Sequence, residues 1–577
     1  YTYYNNELVT NSVNRTQFFL PDTTYYTSDS TSNINRTESH RVNVTVESKL
    51  DSLTKIRIKP TISIDQARTD YYNFTEYESS NNEKSWATTI NNGSNSRGNN
   101  IGVLANLERK FMKPKRLFQF DYFFNWIDNK TKNSLLTDTR VYALNYNTLV
   151  DQEKNNANDQ LKHNFYAEYT EPLGNHFKLT MGYNFMIERM NLDKKTYDYD
   201  TLTGMYSMIN MGLSNEFVTD RLEHKGGAKL TYEKGKHNAF FRMDVRNVDI
   251  ENFNRISNFN IDQNITNVLP SARYEFKPNM GTRLRMDYTT SAAQPTVTNL
   301  APVPDNTNPN RISIGNMDLA PSFTHNVNIN FNRFDAMKGS FVWMGLFGSL
   351  TQNAFTASTT YDNLGRMISQ TVNADGVIFS GLYAGGGIPI KGREISFRPM
   401  VSANYNRMVN YVNLEENITN YMGVLAKAEF VFQWDSLEFN LSGQVDYTNP
   451  RSSISSVSST PFYRQTYTGR VMWRMGLGFE LRSDFNWVIN SRLAAGFNAN
   501  YFIWNAELSK NFLKTENLIL SVIANDILKQ NINASRTVTN NMVVDNRTQL
   551  ISRYFLLKLT YKFNNNKTKE VEQKGHF

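Results

Sequence analysis

A period of two, held over segments of about ten residues and repeated from one end to the other, limits this chain to β structure. In Thr54–Ile64 the residues Lys55, Arg57, Lys59, Thr61 and Ser63 share one parity, while Ile56, Ile58, Pro60, Ile62 and Ile64 share the other. Phe177, Leu179, Met181, Tyr183 and Phe185 alternate in the same way with Lys178, Thr180, Gly182 and Asn184. The pattern returns at Leu437–Tyr447, at Phe479–Ile489 and near the end at Phe555–Phe563. Such strands have one wet and one apolar face, and about ten residues is what a tilted strand needs to cross a bilayer. Pro60 lies on the apolar face, where it costs a ladder hydrogen bond and predicts a local bend or bulge.

Whether the isoleucines pack on a second sheet or on lipid is decided by the connections. Short turn-like links lie at Glu171–Asn175, Glu233–Lys236, Lys277–Gly281, Asp335–Gly339 and Trp434–Ser436. Between them come long polar links such as Ser79–Asn100, Asp128–Gln160, Lys194–Asp220 and Thr448–Arg464. A soluble sandwich has no reason to make every second loop long. A transmembrane barrel does, with short periplasmic turns and long extracellular loops. Counting hairpins from the turns, with a first strand near Tyr1–Phe19 and a last one ending at Phe563, predicts an antiparallel transmembrane β-barrel of about 22 strands, an even number that puts both ends in the periplasm.

Composition agrees with this and removes other classes. Hydrophobic residues are 40% and mean hydropathy is −0.54. No stretch approaches the roughly 18 consecutive apolar residues of a transmembrane helix, so any span is β. Aromatic residues reach 13%, with 31 Tyr and 37 Phe, as interfacial girdles require. Cysteine is absent, which excludes disulfides and thiolate metal sites. The net charge of +8 is spread along alternating strands and set against 54 acidic residues, so nucleic acid is not an expected partner. The chain starts at Tyr1 with neither Met nor signal peptide, which suggests a processed or truncated form with a segment missing upstream.

Motifs for chemistry are weak. Ala384–Gly387 lacks the Lys-Ser/Thr ending of a phosphate loop and is expected to be a periplasmic turn or a strand kink. The histidines, among them His163, His224 and His325, have no ligand spacing. Asp249, Glu251 and Asp262, or Asp193, Asp198 and Asp200, could hold calcium but fit solvated loop charge better, since the EF-hand order is missing. Arg242, Asp244 and Arg246, with Arg283, Arg285 and Asp287, are expected to pair across neighbouring strands inside the barrel. No catalytic constellation can be assembled, and no catalytic, cofactor or metal residue is assigned; the chain does not read as an enzyme.

Two segments carry a resemblance. Leu300–Phe331 has a Pro-rich loop, then Gly315, Asn316, Leu319 and Pro321, then His325 and Asn326, with Met317 where a Pro is usual. Trp504–Asn564 has the Asp526-to-Asn531 stretch, Ser535-Arg536-Thr537, Arg553-Tyr554-Phe555 and a final aromatic strand ending at Phe563. Both resemble the barrel of TonB-dependent receptor-like outer-membrane proteins of the Bacteroidetes. That resemblance implies a carboxypeptidase-regulatory-like domain and a plug before the barrel, neither of which is recognisable in these residues. It also implies that Phe563 acts as the terminal insertion signal.

The expected organisation is an outer-membrane barrel over residues 1–563 and a polar periplasmic tail over 564–577. By resemblance, the expected function is binding and import of a large or scarce ligand, with the long extracellular loops capturing it and TonB acting through a missing upstream segment. The alternative is a non-transporting scaffold in a multi-protein complex for secretion, assembly or surface-lipoprotein handling. Partners would then be outer-membrane lipids, and a surface lipoprotein or other outer-membrane proteins. Ligand-contacting residues are sought in the four long links rather than at named positions.

Overall fold

The structure is a computed structural model and describes residues 1–563 except 21–22, 82, 143–144, 307, 309, 362–365, 393, 455–459, 495–496, 498–499, 514–516, 540 and 550–551. The polar tail, 564–577, lies outside the described residues. Among the described residues there are 29 strands in one sheet. Seven short ones sit beside the wall: Val46–Lys49, Met205–Ile209, Arg311–Ile314, Ala354–Tyr361, Met367–Ala374, Ile532–Thr539 and Met542–Gln549.

The other 22 form the wall, each antiparallel to the next, in agreement with the count of turns. They are β1 (Thr2–Phe19), β2 (Thr24–Asn43), β3 (Thr54–Glu78), β4 (Lys84–Lys110), β5 (Leu117–Val141), β6 (Tyr146–Leu173), β7 (Phe177–Asp200) and β8 (Asn215–Lys234). Then follow β9 (His237–Asn254), β10 (Phe259–Asn279), β11 (Thr282–Ala293), β12 (Ser322–Asp335), β13 (Ser340–Gln352), β14 (Val377–Lys391) and β15 (Ile395–Val412). The series ends with β16 (Glu415–Gln433), β17 (Leu437–Ser452), β18 (Phe462–Gly476), β19 (Phe479–Asn490), β20 (Asn500–Phe512), β21 (Leu518–Asn525) and β22 (Tyr554–Tyr561). The chain returns to its start through the hairpin Ile532–Gln549, whose second strand pairs with Asn11–Phe18 of β1.

The register fixes which side chains share a face, because directly paired residues of an antiparallel ladder point the same way. Met286, Ile329, Leu346 and Leu382 form one such row across β11–β14. Leu346 and Leu382 remain 48% and 51% exposed, so nothing in the chain covers this row and it meets lipid. The adjacent row, Arg285, Asn330, Gly345 and Tyr383, is polar and faces the lumen. By the same register Ile56, Ile58, Ile62 and Ile64 face outward. Lys55, Arg57 and Lys59 face inward, as the alternation predicts.

Three details differ from the sequence reading. The long links are largely strand: β4 resumes at Lys84, β6 runs 28 residues from Tyr146, and β7 continues to Asp200. Their polar residues carry no apolar alternation because they stand above the lipid, yet backbone pairing continues there and extends the hairpins into a tall collar. Ala384–Gly387 is not a turn but lies mid-strand in β14. The Trp343 and Phe341 rings of β13 lie where Cβ atoms of Gly385 and Gly387 would be, so glycine is required by close approach. Pro60 sits opposite Val44, between the last β2 pair at Asn43–Thr61 and the first Val46–Lys49 pair at Val46–Ile58. The register is unchanged across the gap, so the predicted bend is an interruption of the β2 ladder.

Candidate functional site

At the tall end, inward aromatic residues of the first strands form a stack. Tyr77 and Trp86 overlap with ring centroids 3.5 Å apart, and Phe18 stacks on Tyr25 at 4.5 Å. Tyr361, from the hairpin between β13 and β14, packs edge-on against Tyr25 at 5.7 Å. Arg311, from the loop between β11 and β12, lies over the Phe18 ring at 6.0 Å, and its charge acts on the Tyr77 phenol. Burial raises the pKa of Tyr25, Tyr77 and Tyr361 above that of a free phenol. It also raises Asp29, against a hydrogen bond from Thr75.

Strands β11 and β12 stand roughly opposite β1–β3 in the circuit, so the loop holding Arg311 crosses the mouth. Its path is anchored in three steps. Val297 and Ala301 pack on Phe217 of β8, and Leu300 and Leu319 pack on Ile261 of β10. Asp305 then pairs with Lys194 at 2.9 Å, and Asn306 accepts from Lys154 Nζ at 2.7 Å. Finally Arg311–Ile314 adds as a parallel strand to Met367–Ala374 and reaches the aromatic stack. Burial pulls the Lys154 ammonium down to about 8, with the Lys194 charge acting the same way and Asp305 opposing.

The motif that carried the resemblance is the return of this loop. The Gly315 amide donates to Ala301 O at 3.0 Å, and any Cβ there would fall 2.1 Å from that oxygen. Asn316 Nδ2 donates to Thr371 O at 3.1 Å, and Leu319 is buried. In the second segment Asp526 accepts from the amides of Gln530 and Asn531, and Gln530 Oε1 accepts from the Phe502 amide. Arg536 and Asp545 pair at 2.6 Å across the hairpin Ile532–Gln549.

Beneath the cap the lumen wall is charged and largely neutralised. Arg273 and Arg285 both hold Asp287, at 2.5 and 2.6 Å. Arg283 pairs with Glu275, and Arg242 with Asp244 at 2.9 Å. Pairing therefore runs along strands as well as between them, while Arg246 reaches Ala292 O and Gln294. Of the acidic groups considered for calcium, Asp193 pairs with Lys195, Asp198 accepts from Gln152 and Asn210, and Asp200 accepts from Leu202 and Thr203. Asp249 accepts from Asn264. His163, His224 and His325 lie on the outer face, where each meets a tyrosine hydroxyl: Tyr122 at 2.9 Å, Tyr183 at 2.6 Å and Tyr288 at 2.9 Å. They belong to the aromatic girdle.

The four links chosen from the sequence build the collar, but the cap comes from 294–321, 353–376 and 526–549. Sequence reasoning missed Arg311, Lys154 and Tyr361 as a group because they join only across the mouth. The available signal was the burial-prone trio Val297, Leu300 and Leu319 inside a loop.

A family model for the outer membrane protein beta-barrel family matches residues 109–561. No curated protein matches the chain. Among solved structures, the siderophore receptor PirA from Pseudomonas aeruginosa is 11% identical with a TM-score of 0.36, the match covering 95% of this chain and 81% of that one. The copper transporter OprC is 10% identical with a TM-score of 0.48, covering 95% and 80%. The ferric citrate transporter FecA in the unliganded form is 9% identical with a TM-score of 0.44, covering 95% and 78%. With the tall collar outside and the short turns in the periplasm, the chain belongs to the outer membrane protein beta-barrel family.

Proposed function

We propose that this barrel is a TonB-dependent receptor-like importer whose extracellular cap captures the ligand and whose charged lumen conducts it. The observation that carries the reading is the crossing loop: residues 297–319 are tied to β8, β10, β7 and the β1–β3 tips at once. A 22-strand wall encloses more space than its side chains fill. A cap knitted from three loops is a part that ligand docking can displace.

The test uses cells producing the full-length gene product. The wild type and a cap-loosened Arg311→Ala/Lys154→Ala variant are compared for sensitivity to a glycopeptide antibiotic too large for porins, with and without a protonophore. Greater, energy-dependent sensitivity in the variant supports a conduit gated by the cap. Unchanged sensitivity, together with stoichiometric co-purification of several other outer-membrane proteins, would replace the importer with a scaffold.

A further inference from the structure

Just above the lipid-facing band, the outer face of the collar carries a basic stripe. Along β2–β7 the register joins Arg36, Arg68, Asn95, Lys132, Asn155 and Lys195 in one outward row. The next row toward the membrane contains Arg97 directly opposite Lys130. These rows line an open groove of about 1030 Å³ on the outside of the wall, large for a small-molecule site.

The arrangement places like charges face to face twice, Arg36 against Arg68 and Arg97 against Lys130. Like charges directly opposite on a sheet are destabilising. Asp70 bridges the first pair, at 2.8 Å from Arg36 and 3.5 Å from Arg68. Lys132 and Lys195 also have partners, in Glu153 and Asp193. In the second pair Lys130 has only Asp128 at 3.6 Å, and Arg97 has no ion pair among the described residues.

Height identifies what could neutralise them. Trp126 is outward, paired with Ile101 and Leu161, and donates its indole N–H to Asp159 at 3.1 Å, which marks the upper edge of the apolar band. Lys130 is four residues further up the same strand. That is about 13 Å along the strand and about 9 Å in height at a 45° tilt, which falls in the headgroup region.

We infer that this groove binds the phosphorylated sugar headgroup of an outer-leaflet glycolipid, with Arg97 and Lys130 clamping a phosphate while the acyl chains lie along the Ile62–Trp126–Leu161 row below. Six basic residues on the groove outnumber its three carboxylates, Glu38, Asp128 and Asp193, the groove is continuous with the lipid surface, and Arg suits phosphate recognition through its planar fork.

The test measures binding of bisphosphorylated lipid A, dephosphorylated lipid A and inorganic phosphate to the full chain, delipidated in mild detergent, by native mass spectrometry. The wild type should hold the bisphosphorylated lipid roughly 30-fold more tightly than Arg97→Gln/Lys130→Gln, from about 1 kcal/mol for each basic residue at an anionic surface. Dephosphorylated lipid should bind the wild type as weakly as the intact lipid binds the double variant. Arg97→Lys/Lys130→Arg should retain binding, and heat-modifiable gel mobility would show that both variants are folded. Equal binding of the two lipids to the wild type, or an unaffected Gln variant, would overturn the site. Inorganic phosphate saturating the groove at the lipid's concentration would assign it to a free anion and overturn the lipid assignment.

Discussion

Lys154 is the residue at which the cap is most sensitive to pH. Its ammonium is buried against Asn306 and held down to about 8, against 10.5 for a free lysine. A folded pKa below the unfolded one means that the unfolded state binds the extra proton between these values, so stability rises as pH rises through that window. The expected outcome is a thermal midpoint for the heat-induced mobility shift that climbs between pH 8 and 10.5 relative to Lys154→Met. A flat difference between the two proteins across that range would show that Lys154 is solvated. Arg311 acts at the far end of the same loop, where it lies over the Phe18 ring and its charge acts on the Tyr77 phenol. Because the chain has no cysteine, a single Ala301→Cys placed in the buried anchor reports directly on loop opening. Adding Arg311→Ala should raise its maleimide labelling rate severalfold.

At the scale of elements, the crossing loop behaves as a small domain with its own core. Leu300 is fully buried against Ile261 and Leu319, so Leu300→Ala should cost about 2–5 kcal/mol of cap stability. Hydrogen exchange should speed up over residues 297–319 while β8 and β10 keep their protection; loss of protection in the wall as well would show that cap and barrel unfold together. The same comparison explains what the sequence reveals. Strands crossing lipid are legible because one face must be apolar, so Ile56–Ile64 and Phe177–Phe185 announce both their conformation and their orientation. The collar is not, because residues such as Asn95 and Lys132 face water on the outside while the alternate residues Ser96 and Thr131 meet as polar groups on the inside, and only the hydrogen-bond ladder shows that they are strand. Gly315 and Asn316 stand out in the sequence through resemblance, and the structure supplies the reason: both hold the returning loop against Ala301, Asn299 and Thr371. The gathering of Arg311, Tyr77 and Tyr361 depends on circuit order, which no local pattern encodes.

For the whole molecule the lipid boundary organises the energetics, and the two faces of one sheet answer to different solvents. Leu346 lies in an outward apolar row at the middle of β13, whereas Ser402 of β15 is paired with the inward Tyr383. An arginine at Leu346 must enter hydrocarbon, which costs about 2–4 kcal/mol near the midplane of a barrel. An arginine at Ser402 enters a wet lumen already lined by ion pairs, where surface-like substitutions stay within about 0.5 kcal/mol. Urea titration of the two variants folded in phospholipid vesicles checks this directly. Leu346→Arg should unfold at clearly lower urea than the wild type, and Ser402→Arg should follow the wild-type curve. The reverse ranking would turn the wall inside out and place the basic stripe of Arg97 and Lys130 on the lumen side, so this pair of variants also tests the orientation on which the glycolipid site depends.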